Sequence, residues 1–152
     1  MTFNIDAMLQ LNNDNSSDTS LLTRIELNAL LTQAFFVSAV TEGADAFLIA
    51  LDASASYENE NFRWFCDRYD RFVYIDRVIV AASCRGRGLA SRLYAELAEK
   101  AKSKGWPYLA CEINEDPPNV KSEVFHTRLG FSPIGGATLR TGKVVRYWVR
   151  EL

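Results

Sequence analysis

The run VIVAASCRGRGLASRLYAEL, residues 78–97, decides how this chain folds. An apolar stretch ends in a turn where two arginines alternate with two glycines, and a helical pattern starts directly behind it. A strand that enters such a turn and leaves as a helix exposes backbone N–H groups at the positive end of the helix dipole, which is a site for an anion. Glycine permits positive φ and lets the main chain approach a ligand closely, so that successive amides converge on one phosphate. Arginines at the rim then hold its charge. The stretch predicts a strand–turn–helix unit that binds a phosphate group.

Working outward, residues 72–82 read as a strand interrupted only by Asp76-Arg77. Leu89, Leu93 and Leu97, with Tyr94, Ala98 and Ala101 beside them, recur at helical spacing over about four turns, and Gly105 caps the end. Residues 107–113 form the next strand, and residues 119–129 a second helix stopped by Gly130. Two last strands, 131–139 and 143–150, pair through the turn at Thr141-Gly142. Towards the N-terminus, residues 3–11 read as a first strand, and Ser17 or Thr19 caps a helix carrying Leu21, Leu22, Ile25, Leu27, Leu30 and Leu31. Residues 35–40 and 46–51 form a hairpin around Glu42-Gly43, and ENENFRWFCDRYDR a short helix or folded loop dense in aromatics. Strands alternating with helices and closed by a hairpin predict an α/β domain with a mixed sheet.

The chain has 152 residues, 48% of them apolar, and a formal net charge of −2. That suits a single domain, residues 1–152, with a real core. The start lacks a basic and apolar leader and no later segment has the length of a membrane span, so a non-secreted cytoplasmic protein without a membrane partner is expected. Cys66, Cys84 and Cys111 are odd in number and show no CxxC spacing, which predicts neither a disulfide framework nor a metal site. Charge is uneven. Residues 1–70 hold 3 Lys or Arg against 11 Asp or Glu, residues 71–105 hold 8 against 3, and residues 106–152 hold 6 against 5. A cationic island on an acidic chain points to a localised anionic ligand rather than to nucleic acid. Lys100, Lys102 and Lys104 belong to an ordinary solvated helix face; Arg85, Arg87 and Arg92 do not.

Physics leaves the phosphate ligand open. No lysine follows Gly88, which excludes a GxxxxGK[ST] loop. A dinucleotide fingerprint GxGxxG is matched at Gly86 and Gly88 but meets Ser91 at its third glycine, with Glu112 as a candidate ribose-binding acid, so that reading stands as a rival.

The same run resembles the central motif of the GNAT superfamily of N-acetyltransferases, a strand leading into [QR]-x-x-G-x-[GA] and a helix, with Arg85, Gly88 and Ala90 at the fixed positions. NVKSEVFHTRLGF resembles the family's second signature through Asn119, Leu129, Gly130 and Phe131. The resemblance runs from Phe72 to Phe131. It implies a GNAT-type fold, a mixed central sheet of about six to seven strands flanked by helices, and an acetyl-CoA-dependent N-acetyltransferase. The acceptor would be a primary amine, on a small molecule or a protein N-terminus, attacking directly without an acyl-enzyme. A non-catalytic acyl-CoA-binding module is the alternative.

By that resemblance acetyl-CoA, the cosubstrate, lies where two parallel strands splay apart. The backbone of Val78, Ile79 and Val80 faces the pantetheine and thioester. Arg85, Gly86, Arg87 and Gly88, continuing into Leu89, Ala90 and Ser91, wrap the pyrophosphate, and Asn119 reaches the pantetheine. Family members often place a tyrosine seven residues after that asparagine as the acid for the departing thiolate. Here Phe125-His126 stand there, so the only histidine in the chain takes the position. Seven residues are about two helical turns, placing Asn119 and His126 on one stripe about 10 Å apart. An unperturbed imidazole suits proton transfer near neutral pH. Glu112, in ACEIN, matches a strand glutamate that some members use as base. Asp76 is a weaker match, since a carboxylate in an apolar strand is expected to pair with Arg77 or Arg71. Cys84 and Cys111 have no evident base partner and read as core or loop residues. The aromatic segment and the acidic N-terminal third suit a cationic acceptor, though such charge is also ordinary solvation; a homodimer is compatible with the chain.

Overall fold

The computed structural model describes residues 2–16 and 19–152. Two helices open it. Asn4 accepts from the Ala7 N–H and caps α1, Ile5–Asp14. The apolar residues here, read above as a strand, recur at helical spacing, and Met8, Leu11 and Asn12 are buried on one face. The expected first strand is therefore a helix. Helix α2, Arg24–Gln33, starts at Thr23, whose hydroxyl takes the Glu26 N–H while the Glu26 carboxylate takes the Thr23 N–H. This reciprocal cap displaces the start expected at Thr19, while Ser17 lies outside the described residues. Leu21 and Leu22 precede the helix, and Ile25 faces solvent, 82% exposed.

The remaining elements follow the expected order: β1 Phe36–Val40, β2 Ala46–Asp52, α3 Glu60–Cys66, β3 Val73–Val80, α4 Leu89–Ser103, β4 Tyr108–Asp116, α5 Val120–Arg128, β5 Ser132–Thr138 and β6 Val144–Glu151. Six strands make one mixed sheet in the order β1-β2-β3-β4-β6-β5, in which only β3 and β4 run parallel. A doubly wound dinucleotide fold needs a mostly parallel sheet, so that rival is not the architecture here. On one face Leu48, Ile75 and Cys111 pack against Leu93, Tyr94 and Leu97 of α4, with Phe125 and Leu129 of α5 beside them. The other face buries Phe47 and Ile49 under α1 and α2, and Tyr74 and Tyr147 under Phe62 and Phe65 of α3. Among the described residues no helix is long and apolar enough to cross a membrane.

Candidate active site

The site begins with two strands that part. β3 and β4 pair only at Val73↔Leu109 and Tyr74↔Ala110. Beyond that point β3 continues to pair with β2 as far as Val80, and β4 with β6 as far as Asp116. The edges that face each other from Ile75 and Cys111 onward therefore keep backbone N–H and C=O groups with no strand partner, groups that protein interiors normally satisfy. The cause is local. Arg77 lies opposite Ile49 and Ile75 opposite Ala50, which leaves Asp76 as an extra residue in β3; such a bulge bends its strand and increases the twist. Asp76 is held by the Arg77 guanidinium at 2.7 Å and the Tyr57 hydroxyl at 2.6 Å, and Arg77 also donates to Asn12 at 2.8 Å. Buried charges persist when paired and hydrogen-bonded in this way. Arg77 is the partner expected for Asp76, whereas Arg71 donates to the Gly105 carbonyl and lies over Trp106. A cleft of about 510 Å³ fills the opening, with Val78, Ile79 and Val80 on its β3 wall.

At the end of β3 the chain makes one short helical turn, Ala82–Cys84, and reaches the arginine–glycine segment. Gly86 and Gly88 have φ of +79° and +73°. A β-carbon at either would meet nothing within 4 Å, so positive φ, not crowding, is what calls for glycine. Gly88 is the N-cap of α4 and contributes no side-chain hydrogen bond. The first amides of α4 thus lack a capping side chain at the positive pole of the helix. A hollow of about 270 Å³ lies over them, lined by Arg85, Gly86, Gly88, Leu89, Ala90 and Ser91. Arg85 also borders the larger cleft and donates to Asn15 at 3.1 Å. Arg87 is exposed, reaches the Ser83 carbonyl at 3.4 Å and borders neither hollow.

Glu112 faces the cleft from β4 and accepts the Tyr74 hydroxyl at 2.6 Å. Burial pushes its carboxyl up to about 7; the Tyr74 bond opposes that rise and the charge of Asp76 adds to it. His126 borders the same cleft from α5 and is buried. Its Nδ1 lies 2.7 Å from the Ser122 carbonyl and its Nε2 2.8 Å from the Tyr94 hydroxyl. A carbonyl only accepts, so Nδ1 carries the hydrogen and Nε2 accepts from Tyr94. Burial holds the imidazole below its ordinary pKa of 6.5, against the Ser122 bond. Direct donation from Nε2 to a sulfur, the role expected of His126, would need a second proton on this ring. Asn119 is the N-cap of α5 and accepts from the Ser122 N–H at 3.2 Å while lining the cleft, exposed at its rim. Cys111 and Cys84 are buried, and burial pushes the Cys111 thiol well up, away from thiolate character. Among the described residues no three His, Cys, Asp or Glu side chains are grouped so as to hold a metal ion.

The structure thus brings Glu112, His126, Asn119, Arg85 and Val78–Val80 to one cleft, with the glycine turn adjoining it. Two tyrosines were not anticipated. Tyr74 and Tyr94 sit within apolar stripes, one on a strand and one on a helix, where an aromatic ring reads as core. Strand alternation carries the one available signal, since it puts Tyr74 on the same face of β3 as Asp76.

A family model described as the acetyltransferase (GNAT) family matches residues 29–131. No curated protein matches the chain. Among solved structures it is similar to Ard1 from Thermoplasma volcanium, at 14% identity over 100% of this chain and 95% of that one, with a TM-score of 0.75. The ribosomal-protein-alanine N-acetyltransferase from Brucella melitensis matches at 21% identity over 97% and 94%, with a TM-score of 0.70. The NatC complex bound to Gag peptide and CoA contains a chain matched at 13% identity over 97% and 90%, also at 0.70. At such identities the likeness to each is one of fold.

Proposed function

Because this chain belongs to the acetyltransferase (GNAT) family and is an acetyl-CoA-dependent N-acetyltransferase, we propose that it transfers the acetyl group to a primary amine by direct attack, with Glu112 as the base. The observation that carries this reading is the parting of β3 and β4 with the Glu112 carboxyl inside the opening. The unpaired edge at Val78–Val80 suits the amide groups of a pantetheine arm, which hydrogen-bond as a peptide does. The amides from Gly86 to Ser91, with Arg85 and Arg87 near them, suit the pyrophosphate. Asn119, at the rim, suits the distal part of the arm. Glu112, pushed up to about 7, is matched to taking a proton from an ammonium near neutral pH. The freed amine attacks the thioester carbonyl, the tetrahedral adduct expels the CoA thiolate, and the amide forms. Cys111 has the raised pKa of a poor nucleophile, which supports a path without an acyl-enzyme.

Among similar folds are a complex bound to a Gag peptide and CoA and an enzyme named a ribosomal-protein-alanine N-acetyltransferase, and a protein or peptide N-terminus leads the acceptors to be tried, with small amines second. The three cysteines are free thiols, in keeping with a reducing cytoplasm. Calorimetry with acetyl-CoA, followed by thiol release against a panel of peptide N-termini and small amines, tests the proposal. Binding at micromolar to submillimolar strength and amine-dependent release are expected. Binding without release for any amine would leave the acyl-CoA-binding module in its place; binding of NADH with none of CoA would overturn both.

A further inference from the structure

We propose that the Tyr94 hydroxyl hands the proton to the departing CoA thiolate, and that His126 is the residue that positions it. The proposal rests on the acetyltransferase reading of the cleft. Tyr94 is 1% exposed, yet it borders the cleft together with Cys111, Glu112 and His126. Its ring is fixed edge-on by Phe125 at 5.2 Å, His126 at 5.3 Å and Phe131 at 6.1 Å, which leaves the O–H torsion as its one free motion. That hydrogen points at the lone pair of His126 Nε2, whose tautomer the Ser122 carbonyl sets from the other side of the ring. In the arrangement observed, the imidazole has no hydrogen to give a sulfur; the phenol has one.

The two proton-handling groups also lie on opposite faces of the sheet. Successive strand residues point to opposite sides, and β4 shows this directly: Cys111 belongs to the core beneath α4, where Tyr94 sits, while Glu112 meets Tyr74 on the other face. A thioester carbon lying in the gap between β3 and β4 would have Glu112 on one side and Tyr94 on the other. An amine can then arrive from the first side as the sulfur departs towards the second. The C–S bond breaks with its electron pair on sulfur, the Tyr94 O–H turns from Nε2 to sulfur, and an S–H bond forms. The acceptor ammonium loses two protons on becoming an amide. Glu112 takes one and releases it to solvent; the other, passed through water in the cleft, returns to the phenolate.

Tyr94→Phe keeps the ring and its packing and removes one hydroxyl. Its kcat should fall roughly 10²- to 10⁴-fold, the range for a general acid, with the acetyl-CoA Kd within about threefold of wild type and the fold retained at a melting temperature a few degrees lower, because His126 Nε2 loses its donor. His126→Gln, whose side-chain carbonyl can still accept the Tyr94 hydroxyl, should stay within about tenfold of the wild-type kcat. If Tyr94→Phe retains kcat within about threefold while His126→Gln loses 10²-fold or more, the histidine donates directly and the proposal is overturned. A Tyr94→Phe protein that loses kcat and acetyl-CoA affinity together marks a structural role and overturns it as well. Absence of thiol release in the wild type with every amine would count against the acetyltransferase reading itself.

Discussion

Replacing Glu112 by glutamine should abolish most of the activity and at the same time stabilise the protein. The carboxyl lies in the cleft with one strong donor, Tyr74, and a neighbouring negative charge, Asp76. Its pKa is raised from an ordinary 4.5 to about 7, so at ~1.4 kcal/mol per pH unit its charged form is disfavoured in the fold by about 3 kcal/mol. The sign follows from proton linkage. Between pH 4.5 and 7 the folded chain holds a proton that the unfolded chain has lost, so stability is fully present below 4.5 and declines as pH rises through 7. Glutamine keeps an acceptor for the Tyr74 hydroxyl and carries no charge. The stability advantage of Glu112→Gln should therefore be about 1 kcal/mol at pH 5 and about 3 kcal/mol above pH 7.5, or roughly 6 to 12 °C in Tm for a chain of this size. Over the same range kcat should fall roughly 10²- to 10⁴-fold if the carboxylate is the base. Thermal melts of both proteins from pH 5 to 8.5, paired with thiol-release rates at pH 8, give both quantities. A Tm offset that does not change with pH would refute the burial argument, and an active glutamine variant would refute the assignment of the base.

Tyr74→Phe removes the bond that holds the Glu112 pKa down, so the acidic limb of the kcat/KM profile should move to higher pH, with rates converging on wild type at the alkaline end; an unmoved limb would mean that the carboxyl titrates independently of Tyr74. Gly88→Val places a β-branched residue at φ +73°, a conformation costing roughly 1–2 kcal/mol, and the turn should relieve that strain by moving its amides; calorimetry should show at least a tenfold weaker acetyl-CoA Kd with the fold retained, and unchanged binding would remove the phosphate cradle. Gly43→Ala should cost about 2–3 kcal/mol, read as a lower Tm, because the residue has φ +106° and a methyl there would overlap Met8.

Residues 72–131 were legible because each signal there has a single reading. Glycines at positive φ bracket helices of regular apolar spacing, and Gly88, Gly105 and Gly130 stand where α4 starts and where α4 and α5 end. Residues 3–11 were not, since Phe3, Ile5, Leu9 and Leu11 fit a strand's alternation while Ile5, Met8 and Leu11 fit a helix over so short a run. What decides for a helix is the Asn4 cap and the burial of Met8 against the sheet, and the second of these is a tertiary fact. In the site, Asp76 stood out because a carboxylate in an apolar strand calls for a reason, and Glu112 because it matches the strand glutamate of the family it resembles. Tyr74 and Tyr94 could not, because a tyrosine spends most of its surface as a hydrophobe and only its neighbours in space show where the hydroxyl goes. The turn at Glu42-Gly43 was placed correctly, although Thr41 and Glu42 also adopt positive φ, which no glycine announces.

The parted strands leave the molecule with an unfinished edge in the middle of its sheet. One half, β1-β2-β3, and the other, β4-β6-β5, are joined across the seam by two residue pairs, helped by the helices that lie over both. Exposed strand edges invite pairing with other chains, but this one is recessed within a cleft and bent by the Asp76 bulge, so that only something as slender as a single extended arm can lie along it. A ligand that does so supplies the missing rungs and ties the halves together. Its binding free energy then adds to the stability of the fold by mass action, and the enzyme becomes firmer or softer with the amount of coenzyme around it.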